Sequence, residues 1–217
     1  MDKVGMEMDL AIALFVKEQQ ERAEEEKRAR IWEKIDPKAR IKYTVEELAE
    51  GIRKGELFLY TLKMEFTPRE VLEGRFIMPY VKDFFDMEVD KSEAVILLSN
   101  KRKVSASISD VPCREVAQPL DEWVSQTKEM MEEKHLRIKP VRKKSLGKME
   151  YFCFTLPTAE GRLYNVAFRL QKGDRLYTGA LNCPVEEQEG MGLLLEAIVH
   201  IIWEMNGQEG GPEDGGN

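Results

Sequence analysis

Three residues near the end of the chain have the spacing of a ligand set. Glu196, His200 and Glu204 recur at four-residue steps within "LLLEAIVHIIWEMN". On a helix that spacing places all three on one face. A carboxylate–imidazole–carboxylate set there could hold a divalent ion. The same spacing also describes the solvated stripe of an amphipathic helix, and Glu186, Glu187 and Glu189 make the neighbourhood acidic in general. No HExxH is present. The expectation is a solvated stripe, with no metal and no other cofactor.

A second set lies in "GRLYNVAFRLQKGDRLYTGALNCP", Gly161 to Pro184, which carries Asn165, Arg169, Tyr177 and Asn182. An arginine among amides would suit a carboxylate or a phosphate. These residues are therefore candidates for a pocket between a sheet and a helix. Alternation argues partly against convergence. Tyr164, Val166, Phe168 and Leu170 make one apolar face, which puts Asn165 and Arg169 on the other. Asn165, Arg169 and Tyr177 are then surface candidates for recognition on a hairpin whose turn is "KGD".

Nucleophilic chemistry has little to work with. Cys113, Cys153 and Cys183 are odd in number and form no CxxC, as expected of reduced thiols. Cys153, within "YFCFTL", reads as a small core residue. Cys183, before Pro184, is the better candidate for exposure. A Cys–His dyad would need His135 or His200, the only two histidines. There is no GxxxxGK[ST], no GxGxxG opening a helix after a strand and no GxSxG. A non-catalytic role is expected, with a small-ligand binder or an enzyme as the alternative.

The chain has 217 residues, 42% of them hydrophobic and 34% charged, with a net charge of −7. That is enough for one core domain plus an accessory element. No apolar run reaches the roughly 20 residues that a membrane helix needs. The opening "MDKVGMEMDLAIALFVKEQQ" reads as a helix rather than a signal peptide, so a cytoplasmic protein is expected. Nucleic-acid binding needs a positive field. The two basic clusters, "NKRK" and "VRKK", read as solvated loop tips.

The elements follow from periodicity. "EQQERAEEEKRAR" is a polar, helix-prone run, anchored by Leu10, Leu14 and Phe15 before it and by Ile31, Trp32 and Ile35 after it. In "TVEELAEGIRKGE", Thr44 and Glu47 have capping-box spacing, and Gly55 is a stop. Strand-like stretches follow: "LFLYTLKMEF", "EGRFIMPYV", "EAVILLSN" and "KVSASISDV". "PLDEWVSQTKEMMEEK" is a helix with Pro119, Asp121 and Glu122 in its first turn. Its core stripe comprises Leu120, Trp123, Val124, Thr127, Met130 and Met131. "LRIKPV", "MEYFCFTL" and the long hairpin are further strands. The last helix buries Leu194, Ile198, Ile201, Ile202 and Met205, and Leu193, Leu195, Val199 and Trp203 widen that face nearly all round. Such a helix either packs centrally on a sheet or meets a second chain. The class is α+β, an antiparallel sheet flanked by helices. It is expected as a helical arm and short amphipathic helix over residues 1–55, a domain over 57–206 and a disordered acidic tail over 207–217.

This order resembles the Mog1/PsbP-like superfamily and, within it, the DcrB/DUF1795 group. The carrying stretches are "GRFIMPYVKDFF", "PLDEWVSQTKEMM", "LRIKPVRK", "GKMEYFCFTL", "YNVAFRLQKGDRLYTGALNC" and a closing helix, about Leu57 to Asn206. The N-terminal arm departs from the common core. The resemblance implies an α/β/α sandwich used for binding protein partners. A chaperone-like version would shelter apolar helices of a secreted protein on a concave sheet face, with Phe76, Met78, Phe168 and Leu181 as its contacts. The expected partner is a protein, or a second copy meeting through the arm or the final helix.

Overall fold

In the computed structural model, which describes residues 42–113, 118–159 and 161–207, Thr44 and Glu47 form the capping box that their spacing predicts. The Glu47 amide donates to Thr44 Oγ1 at 3.2 Å, and the Thr44 amide donates to Glu47 Oε2 at 3.0 Å. Helix α1 (Val45–Arg53) buries Val45, Leu48, Ala49 and Ile52. Gly55 ends it with φ +85°, a left-handed conformation that glycine adopts without a Cβ penalty. The described residues all fall within one unit, Lys42–Asn217, so α1 belongs with the sheets. The arm expected before residue 42, and the tail after residue 207, lie outside the described residues.

Two antiparallel sheets follow. The first has the order β1 (Glu56–Leu59), β2 (Leu62–Val71), β3 (Phe76–Val81). The stretch read as one strand, "LFLYTLKMEF", is split at Tyr60, where φ is +54°. The second sheet contains β4 (Met87–Asp90), β5 (Ala94–Ser99), β6 (Val104–Pro112), β7 (Lys139–Leu146), β8 (Met149–Thr158), β9 (Gly161–Lys172) and β10 (Arg175–Pro184). Its spatial order is β4-β5-β6-β10-β9-β8-β7. The long hairpin β9–β10 is therefore near its centre, with β6 on one flank and β8 on the other. Gly179, within β10, sits opposite Phe168; a Cβ there would lie 2.3 Å from the Phe168 ring and 2.9 Å from the Ser107 carbonyl.

Helix α3 (Leu193–Asn206) follows a 3-10 turn (Val185–Glu187) and a π-helical turn (Gln188–Gly192). It packs against β3, β9 and α1. Leu194, Leu195, Ala197, Ile198, Val199, Ile201 and Ile202 are all buried. Each large apolar side chain contributes roughly 1.5–3 kcal/mol on burial. Its apolar character is thus explained by central packing within this chain, the first of the two alternatives the sequence offers. Met205 is only partly buried.

Helix α2 (Leu120–Glu133) lies on the opposite face of the large sheet, over Phe152, Phe154 and Ile138. Trp123, Val124 and Met131 make the contact, with Trp123 edge-on to Phe152 at 4.8 Å. The predicted stripe is narrower than expected: no α2 residue is fully buried, and Met130 stands exposed. Pro119 is its N-cap. "NKRK" is the β5–β6 turn, but "VRKK" is not a loop tip. It lies in edge strand β7, where Pro140, a register shift and four cations discourage pairing with another chain.

Candidate functional site

The residues singled out from the sequence do not meet in one place. Arg169 and Asn165 do lie on the face opposite Phe168, but not at the surface. Arg169 is 5% exposed. Its Nε donates to Glu150 Oε2 at 2.9 Å, its Nη2 donates to the Gln118 carbonyl, and its guanidinium lies 4.6 Å from the Trp123 ring centre. Helix α2 covers this face, and Arg169 fastens the start of that helix to the sheet. Asn165 is buried as well, its Nδ2 donating to the Leu163 carbonyl. Both are therefore withdrawn as surface candidates.

Tyr177 is also buried, on the α3 side, 5.0 Å from the Phe76 ring. It shares its inward face with Leu181 and Cys183, because β10 pairs these three with the inward Leu170, Val166 and Tyr164. Beside it, the Asp110 carboxylate joins Arg75 and Arg175. Phe76, Met78, Phe168 and Leu181 are core residues, all at 2% exposure or less. The face expected to shelter a foreign helix is occupied by the chain's own α3. Asn182 alone among the hairpin candidates lines an open cleft, at the end of the large sheet.

Glu196, His200 and Glu204 are separated by their partners. Glu196 is fully buried, which overturns the solvated stripe. Tyr164 Oη donates to its Oε1 at 2.8 Å, Tyr151 Oη to its Oε2 at 3.5 Å, and the Arg142 guanidinium approaches to 3.4 Å from β7. His200 Nε2 lies 3.1 Å from the Tyr151 hydroxyl. Burial and, next, Lys144 push the His200 pKa below its usual value. Glu204 turns to α1, where Arg53 donates to both its oxygens at 2.9 and 2.6 Å. That hydrogen bonding holds its carboxyl below the usual range. Among the described residues no group of three His, Cys, Asp or Glu could hold a metal ion.

Carboxylate, phenol, thiol and imidazole thus gather around Glu196, the ingredients of acid–base chemistry. Their environment argues against it. Tyr151, Cys153, Tyr164 and Glu196 are all at 2% exposure or less. Burial, then the Glu196 charge, pushes the Cys153 thiol up to about 12, leaving it protonated. Burial likewise pushes Cys183 up to about 12, and this residue is fully buried rather than exposed. The cluster is a satisfied buried network that registers α3 against β7, β8 and β9. One signal for it was legible: a helix apolar nearly all round leaves no solvated stripe for Glu196. Tyr151, Tyr164 and Arg142 gave no such signal.

Among the described residues, only helix α2 covers the other face of the large sheet. Helix α2 lies over Phe152 and Phe154, on β8. Over β4, β5, β6 and β10, one ladder runs Val89–Ile96–Ser107–Ala180, and the next runs Met87–Leu98–Ser105–Asn182. This area sets the small Ser105, Ser107 and Ala180 beside the larger Met87, Val89, Ile96 and Leu98. Met87, Ile96 and Val111 are exposed on it, three of the six exposed large apolar residues among those described.

The fold is Mog1/PsbP-like, an α+β arrangement of antiparallel sheets and helices. The solution structure of cyanobacterial PsbP (CyanoP) from Synechocystis is similar at a TM-score of 0.51, with 8% identity, over 62% of this chain and 89% of that one. A crystal structure of a protein of unknown function from Pseudomonas aeruginosa aligns at a TM-score of 0.37, with 12% identity, over 68% of this chain and 98% of that one. No family model and no curated protein matches the sequence. No helix among the described residues is long and apolar enough to cross a membrane.

Proposed function

We propose that this chain is a non-catalytic protein-binding module, and that its docking surface is the outer face of β4, β5, β6 and β10. The observation that carries this is the exposure of Met87 and Ile96 in adjacent ladder rows on that face, with Val111 exposed further along β6. Neighbouring exposed apolar side chains such as Met87 and Ile96 are the kind of surface that interaction sites use. The burial of Glu196, Arg169, Cys153 and Cys183 supports a non-catalytic role, because each is engaged in holding the fold. A chaperone-like role would also have to use this outer face. Buried protonated thiols suit a reducing, cytoplasmic setting.

The test is site-specific photo-crosslinking in cells, with a benzophenone amino acid at Ser107 and, as control, at Lys128 on α2. A discrete adduct at Ser107 that disappears with Ile96→Asp is expected. A mass of twice the chain would identify the partner as a second copy. Equal adducts at both positions, or none at Ser107, would refute the docking face.

A further inference from the structure

Strand β7 ends the large sheet, and among the described residues nothing pairs with its outer side. From Lys134 to Lys148 the sequence has seven lysines and arginines and no acidic residue. This edge therefore carries a positive field on a chain whose net charge is −7. Every residue from Lys139 to Ser145 is exposed. The edge has two parts. Pro140 has no N–H, and the register shift leaves Val141 out of the pairing. From Arg142 to Leu146 the pairing with β8 is regular. Alternate N–H and C=O groups along that stretch point away from β8.

The cations are sorted by face. Lys139, Arg142 and Lys144 stand opposite Thr155, Cys153 and Tyr151, which places all three on the α3 side of the sheet. Those partners are alternate residues of β8, so the three rungs fall about 7 Å apart. Arg142 faces Glu196 at 3.4 Å and keeps its side chain 44% exposed. Lys139 and Lys144 have no ion-pair partner among the described residues. Lys143 is on the other face, opposite Phe152, and is joined to Asp121 of α2. The surplus of positive charge is thus on the α3 side.

We propose that the β7 edge takes up an extended acidic segment of a partner protein, with carboxylates at alternate positions facing the α3 side. Backbone pairing along Arg142–Leu146 supplies the common attraction, as in other additions of a strand to a sheet edge. Arg142 and Lys144 then meet acids two residues apart, the repeat of a strand, and Lys139 extends the line past the bulge. A second copy of β7 would set the same cations against one another. The features that discourage pairing between copies therefore select an acidic strand. The stretch has no Phe, Tyr or Trp on which a base could stack, which disfavours single-stranded nucleic acid. This inference does not depend on the docking face described above.

The test uses the full chain, labelled for NMR, with four probes: acetyl-Glu-Thr-Glu-Thr-Glu-Thr-amide, the same peptide N-methylated at every residue, acetyl-Lys-Thr-Lys-Thr-Lys-Thr-amide, and a short single-stranded DNA. The acidic peptide should shift the backbone amides of Arg142–Leu146 and slow their exchange with solvent. The methylated and lysine peptides should do neither. Lys139→Gln with Lys144→Gln should weaken binding about tenfold and keep the wild-type denaturation midpoint. Lys91→Gln, next to the opposite edge strand β4, should leave binding unchanged. Equal binding of the methylated peptide would reduce the site to unspecific charge attraction. Equal or tighter binding of the DNA through the same residues would point to nucleic acid. Either result, no shift with any probe, or an unaffected double variant would overturn the proposal.

Discussion

Asn206 hydrogen-bonds both backbone groups of Ile77. Its Oδ1 accepts from the Ile77 amide at 2.9 Å, and its Nδ2 donates to the Ile77 carbonyl at 2.6 Å. The side chain thus acts as a one-residue strand beside β3, and it is buried. A second bond from Nδ2 to the Ile202 carbonyl at 2.8 Å fixes its rotamer. Asn206→Leu would leave two backbone groups without partners, each costing about 1–3 kcal/mol. The urea midpoint should fall with an unchanged slope.

The Glu196 network should behave as a unit. Tyr164→Phe removes the shorter phenol bond to a buried carboxylate and should cost about 1.5–3 kcal/mol in chemical denaturation. Adding Glu196→Gln to Tyr164→Phe should cost less than the two single changes summed, because the partners are in contact.

His200 gives the fold a pH dependence of defined sign. Its pKa is lowered from 6.5 in the folded state, chiefly by burial and then by Lys144. Below pH 6.5 the unfolded chain binds a proton that the folded chain resists, so this residue's share of stability falls as pH drops from there toward the folded value. Glu46 and Glu204 act in the opposite sense, and Arg53 reinforces Lys144. A pH series of denaturation midpoints on wild type and His200→Gln measures this. The variant should lose that part of the slope.

Helix α2 should loosen without Arg169. Arg169→Ala removes the bonds to Glu150 and to the Gln118 carbonyl and the contact with Trp123. A cost of about 2 kcal/mol is expected, from hydrogen bonds to a charged group. Amide exchange should rise in Leu120–Glu133 and stay unchanged in α3.

Cys153 and Cys183 should resist thiol reagents in the native protein and react once it is unfolded. Both are fully buried, with thiols pushed up to about 12. Mass spectrometry after brief alkylation reads this directly. Native labelling at either would contradict the packing.

Much of the architecture was legible in the residues. The Thr44–Glu47 cap, the β9–β10 hairpin about its "KGD" turn, and the α2 and α3 spans all follow from local spacing. The fates of individual polar residues did not. Alternation put Arg169 opposite Phe168 correctly, but whether that face meets water depends on α2, some forty residues earlier in the chain. Tyr177 was misread because the register of β10 is set by pairing with β6 and β9.

The central place of α3 also bears on how the chain is made. Leu193–Asn206 is the last described element in sequence, yet it occupies the middle of the core. While it is still within the ribosome, the inward faces of both sheets have no helix between them. Val95, Ile108, Val166 and Phe168 are then exposed to solvent and to other nascent chains. Completion of this fold consequently waits until Leu193–Asn206 has emerged, and truncation within α3 would leave a sticky half-sandwich rather than a smaller domain.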